Sequence, residues 1–199
     1  MKNLYIVFSS TPYKIGKIIR ILTKEKYNHT AIYAGKEHAY CFGRHYQNVL
    51  LYGGMVKDSF RRYIYNGKTA DICVCAIELE DEKFDQVCSL MDEMYSHKQE
   101  YYYNILSALS ALRHKRVFIH KAYTCVEFSS KILSLVDKRI DPNEFYTIET
   151  LRQKFIDNVV YNGKFNMDMA DDNNYIEKKS IGFKIKHSFE NIRVLFARL

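Results

Sequence analysis

An α+β fold is predicted for this chain, on three observations. Short apolar runs bounded by turn residues read as strands, and two of them stand close enough to pair as a hairpin. Longer amphipathic stretches at helical spacing stand between and after these runs. Of the 199 residues 47% are hydrophobic, including 17 Tyr and 12 Phe, against two prolines and eight glycines. That composition and length suffice for a sizeable core and argue against a disordered or loop-rich chain.

Leu4 to Phe8 is a short apolar run stopped by Ser9-Ser10-Thr11-Pro12, which reads as a buried strand followed by a turn. Pro12 suits the first turn of a helix, and Ile15, Ile18, Ile19 and Leu22 recur at helical spacing among Lys14, Lys17, Arg20 and Lys24. His29-Thr30-Ala31-Ile32-Tyr33-Ala34-Gly35 reads as a strand ending at a glycine turn, paired with Ala39-Tyr40-Cys41-Phe42. Asp71 to Leu79 is the strongest strand by β-branched content. Its Cys73 and Cys75 share one face, and with no second pair nearby they read as buried thiols rather than metal ligands.

Glu80 to His97 carries Phe84, Val87, Cys88, Met91, Met94 and Tyr95 at helical spacing after an acidic opening turn. Tyr101 to Leu112 reads as a second, more apolar helix, and Thr124 to Val136 as a third. Between them Arg113-His114-Lys115-Arg116 reads as a solvated loop, or as an anion-binding rim. After Val160 the character changes. Met167 to Asn174 is polar and acidic and resembles a linker. Ile181 to Leu199 has Phe183, Ile185, Phe189, Ile192 and Phe196 among Lys184, Lys186, Arg193 and Arg198. This is a basic amphipathic helix, docked on the domain's own surface or on a membrane surface or partner. The expected organisation is a catalytic domain over 1–166, a linker over 167–180 and a C-terminal helix over 181–199.

The five cysteines are an odd number and lack the regular spacing of a secreted disulfide framework. The first ten residues are too short and too polar after Phe8 for a signal segment, and no run approaches the ~20 apolar residues of a membrane span. A reducing, cytoplasmic compartment with free thiols is therefore expected. The net charge of +7 sits mostly in Lys14–Lys26 and Lys178–Arg198. No helix-turn-helix, zinc-finger or stacking motif accompanies it, so a nucleic-acid partner is not expected. Solubility, anionic lipid or an anionic substrate account for it equally well.

Cys125 opens a helical pattern after Lys121-Ala122-Tyr123-Thr124. A helix N-terminus favours a thiolate through its unpaired N–H groups and dipole. An imidazole nearby can take the thiol proton and later return it to a leaving group. Among seven histidines, His29 stands out because it begins an apolar strand directly after the polar turn Lys26-Tyr27-Asn28. On spacing alone, a lone Cys in an amphipathic helix is usually a small core residue.

The segment from Tyr27-Asn28-His29 to Gly35, followed much later by Tyr123-Thr124-Cys125-Val126-Glu127-Phe128, resembles the circularly permuted branch of the NlpC-type papain-like superfamily. That superfamily includes the lecithin retinol acyltransferase-like proteins. The resemblance extends from Leu4 to Val160 and takes in the Cys41-Phe42-Gly43-Arg44 turn. It implies a papain-like sheet packed against helices, Cys125 as nucleophile and His29 as general base. Val126 stands where relatives often carry Ser. The residue orienting the imidazole lies in relatives on the next strand. Cys41 aligns best, although a thiol is a poor orienter, and Glu37, His38 and Arg44 are alternatives. Tyr123 and Arg44 are candidate substrate contacts. Glu127 matches a common family residue and is a further candidate there, or a structural one.

The resemblance implies acyl transfer through a thioester, by a hydrolase or acyltransferase of amidase, peptidase or lipid-acyl type. The substrate would be a small acyl, peptide or lipid-like molecule, with no metal or organic cofactor. The rival expectation is an inactive module that holds a lipid or acyl ligand in the old cleft.

Overall fold

Alternation along Lys2–Ser10 (β1) turns Leu4, Ile6 and Phe8 to one side and Val7 to the other, and all four are buried. A strand buried on both faces belongs in the middle of a covered sheet. The computed structural model describes residues 1–35, 38–58, 60–166 and 174–199. After β1 the chain forms α1 (Lys14–Thr23), β2 (His29–Tyr33), β3 (Ala39–Arg44), β4 (Gly53–Asp58), β5 (Ile64–Tyr65), β6 (Lys68–Thr69), β7 (Asp71–Leu79) and α2 (Asp81–Ser96). It continues through β8 (Tyr102–Tyr103), α3 (Ile105–Ser110), β9 (Ala122–Tyr123), α4 (Cys125–Leu133), α5 (Ile148–Gln153), β10 (Val159–Lys164) and α6 (Ile181–Ala197).

Eight strands form one sheet in the order β10-β7-β1-β2-β3-β4-β8-β9, antiparallel except for the parallel pair β8 and β9, while β5 and β6 form a separate ribbon. With six α-helices among the described residues, the architecture is mixed α and β on a mostly antiparallel sheet. The sheet is larger than the small one expected. One face carries Leu4, Ile6, Phe8, Ile32 and Phe42 against Met91 of α2 and Phe128 and Ile132 of α4. The other carries Val7, Ala31, Cys41 and Ile72 under Tyr63 and Phe165.

Three departures from the sequence reading have physical causes. The helix expected over Tyr101–Leu112 is confined to Ile105–Ser110, because Asn104 caps it by accepting the Ser107 N–H at 3.0 Å. The aromatic residues ahead of that cap join the sheet instead, Tyr102 opposite Ala122 and Tyr103 opposite Tyr123. Second, α1 turns Gly16 and Arg20 inward and leaves Ile18, Ile21 and Leu22 exposed. A Cβ on Gly16 would stand 2.7 Å from the Thr11 carbonyl, so this close approach requires glycine. Third, the stretch read as a linker is not free along its length. Tyr175 is buried, while residues 167–173 of that stretch lie outside the described ones.

The C-terminal helix docks on the domain. Leu195 is buried with Ile119 and Ala122, and Arg198 donates to the Glu100 carbonyl at 2.9 Å. Among the described residues no helix is long and apolar enough to cross a membrane.

Candidate functional site

The first turn of α4 is fixed from both sides. Thr124, its N-cap, accepts the Glu127 N–H at 3.2 Å, and the Glu127 carboxylate accepts the Thr124 N–H at 2.7 Å. This reciprocal capping box satisfies two donors that a helix start leaves unpaired. Glu127 also accepts the Ser107 hydroxyl at 2.5 Å and pairs with Arg116 at 3.3 Å. Cys125 is thereby held as the first residue of a rigid helix, and Ser129 of the same helix donates to Thr30 of β2 at 3.4 Å.

Cys125 is 6% exposed. Burial pushes its thiol up to about 11, against the opposing pull of the backbone N–H groups of Thr30, Val126 and Cys125 itself, which face the sulfur. Thr30 directly follows His29, so the strand start and the helix start meet at the thiol. His29 is 7% exposed. Burial, then the positive charges of Arg62 and Arg44, hold its imidazole well below the usual 6.5. Its Nε2 is buried without a hydrogen-bond partner among the described residues. The resting pair is therefore a neutral thiol and a neutral imidazole.

The turn before His29 is pinned as well. Asn28 donates from Nδ2 to the Thr11 hydroxyl at 2.8 Å and accepts Arg20 at 2.5 Å, and its N–H donates to the Ser9 carbonyl at 3.0 Å.

Cys41 comes to the same place. Its sulfur, a His29 ring nitrogen and an Asp58 carboxylate oxygen all lie within 4.8 Å of one another. Burial, opposed by Arg62, drives the Cys41 thiol far above its ordinary value, with Cys125 adding to the rise. Since His29 Nε2 has no hydrogen bond, neither Cys41 nor Asp58 holds the ring through that nitrogen. The residue beside the imidazole on β3 is thus a protonated thiol. Of the alternatives, Glu37 lies outside the described residues and His38 precedes β3.

Arg44 is committed elsewhere. It donates to the Gln47 carbonyl at 2.6 Å and to the Tyr175 hydroxyl at 3.1 Å. The Tyr123 ring packs edge-on against Phe42 at 5.3 Å, on the core side. Glu127 serves the helix cap.

Several neighbours went unseen in the sequence. Asp58 and Arg62 form a buried ion pair at 2.5 Å. Gly43 makes room for it, since a Cβ there would lie 2.7 Å from an Arg62 guanidinium nitrogen. Tyr175 covers that guanidinium with its ring at 4.5 Å. Burial, with Cys125 next in effect, pushes the Tyr103 phenol upward. Nothing local in the sequence marks these four residues, because their partners come from distant segments or a loop without periodicity.

His29, Cys41 and Asp58 are chemically a possible donor set for a soft or borderline cation. Here the Arg62 guanidinium already occupies the Asp58 carboxylate and adds positive charge beside the imidazole. These residues therefore fit a metal poorly. No family model matches the chain, and neither does any curated protein or solved structure.

Proposed function

We propose that this chain is a thiol enzyme of permuted papain-like type, a hydrolase or acyltransferase acting on a small acyl, peptide or lipid-like substrate. The observation that carries the reading is the convergence of three backbone N–H groups on the sulfur of a helix-opening cysteine, one of them from Thr30, the residue that follows the buried His29. His29 accepts the proton as the Cys125 sulfur attacks the substrate carbonyl. The same amide donors face the negative charge that develops there. Collapse of the tetrahedral intermediate breaks the bond to the leaving group, which takes the proton from the imidazolium. Water or a second nucleophile then attacks the thioester, with His29 removing its proton, and the free thiol is restored.

Intact-mass spectrometry after incubation with short-chain p-nitrophenyl esters tests this reading. The expected product carries one acyl group on Cys125. It should be missing in Cys125→Ala and form at least about 100-fold more slowly in His29→Ala. Acylation that proceeds equally in both variants would sink the enzyme reading.

A second reading has its own support. The absent hydrogen bond at His29 Nε2 and the near-complete burial of Cys125 suit an inactive module that retains an acyl or lipid ligand. A fatty-acid probe that binds reversibly, with no covalent adduct, would favour it.

A further inference from the structure

Four large apolar side chains of α6 stand in solvent: Ile181, Ile185, Phe189 and Phe196, from 61 to 74% exposed. At 3.6 residues per turn their spacing places them within about 80° of the helix circumference. The inward side of the helix is otherwise engaged. Phe183 packs edge-on against Tyr46 at 5.6 Å, Leu195 is buried, and Arg198 donates to the Glu100 and His120 carbonyls. A docked helix ordinarily hides its apolar stripe. Here the helix is fastened by one face and displays another.

One border of the stripe is cationic. Lys186 and Arg193 are exposed, and no carboxylate pairs with either among the described residues. The display continues past the helix. Leu195 shares a cluster with Ile105, Leu106 and Val117, and the following Phe118 is 71% exposed, with Arg113 and Lys115 also exposed earlier in the same segment.

We propose that α6 and the 113–118 loop dock on a membrane surface that carries anionic lipid. Aliphatic and aromatic side chains flanked by unpaired cations complement an acyl boundary below a negatively charged headgroup layer. A second copy of the chain suits this surface less well, because apposed stripes would bring Lys186 and Arg193 of both copies together. The loop also reaches the thiol site, since its Arg116 pairs with the Glu127 that fixes the start of α4.

Co-sedimentation of the full chain with phosphatidylcholine vesicles, with and without phosphatidylserine, tests the proposal. Pelleting is expected only with phosphatidylserine and should fall as salt is raised. Phe189→Asp should weaken binding about tenfold or more, by loss of an inserted ring. Lys186→Gln and Arg193→Gln should each weaken it about fivefold. Ile185→Ser serves as a second probe if Phe189→Asp expresses poorly. Cys125→Ala should bind as the unmodified chain does, so a failure of thiol chemistry and a failure of docking are read separately. No pelleting on anionic vesicles, or pelleting indifferent to Phe189→Asp and Ile185→Ser, would overturn the inference. So would a dimer in light scattering that Phe189→Asp dissociates, with no vesicle binding.

Discussion

The backbone N–H of Thr30 faces the sulfur of Cys125, tying the strand that His29 opens to the first turn of α4. A thiol in that position is stabilised as an anion by fixed dipoles and penalised by burial, and burial wins. The contact runs through a main-chain atom of β2, so a side-chain substitution at His29 does not by itself remove it.

Iodoacetamide should accordingly alkylate Cys125 more slowly at neutral pH than it alkylates a free cysteine. Its rate should keep rising with pH until about 11, the value to which burial pushes the thiol. Peptide mass spectrometry across a pH series gives the profile. A plateau already reached at pH 7 would mean a preformed thiolate and a different resting state.

Stability should respond to His29 on the acid side. Burial, with Arg62 and Arg44 next, holds the folded imidazole below 6.5, while the unfolded one titrates near that value. Below it the unfolded chain binds a proton that the folded chain refuses. The associated stability is present above about pH 6.5 and is lost as pH falls, at up to about 1.4 kcal/mol per pH unit. Urea unfolding between pH 7 and pH 5 should show a shallower pH dependence in His29→Gln than in the unmodified chain. Equal slopes would place the imidazole in water.

Glu127→Ala should destabilise the protein by about 2–4 kcal/mol, because it removes a helix cap and leaves Arg116 and the Ser107 hydroxyl without their shared acceptor. Thr124→Ala removes only half of the capping box and should cost about 1 kcal/mol. Denaturant midpoints rank the two. Esterolysis, if present, should fall more in Glu127→Ala, since the same carboxylate sets where α4, and with it Cys125, begins.

Much of the frame is legible in the sequence because its signals are local. The strands β1, β2 and β7 are apolar runs with clear stops, and α2 and α4 keep helical spacing. By contrast, β4 opens with Gly53-Gly54, residues of poor strand propensity. They are there because a Cβ on Gly53 would sit 2.5 Å from the Gly43 carbonyl, so the strand depends on close backbone approach rather than on side-chain preference. Propensity could not reveal it. The site divides in the same way. Cys125, His29 and Cys41 are singled out by short motifs, and the structure places His29 and Cys41 within 4.8 Å of each other. Asp58 and Arg62 lie in a segment without a repeating sequence pattern, and the buried Tyr175 follows a polar stretch and is met by the Arg44 and Arg62 cations.

That buried pair is the sharpest place to separate position from charge. Asp58→Asn leaves the Arg62 guanidinium, 6% exposed at the residue level, without its counter-ion at 2.5 Å. Arg62→Met leaves a buried carboxylate beside Cys41. Each single change should cost about 3–5 kcal/mol, and the double change should cost clearly less than their sum. The two also act oppositely on His29. Losing Arg62 removes a positive charge that holds the imidazole down, so its pKa should rise, and losing Asp58 should not raise it. Denaturation of the full double-mutant cycle, with NMR titration of His29, measures both effects. Additive costs, or an imidazole indifferent to Arg62, would show that the pair contributes packing alone.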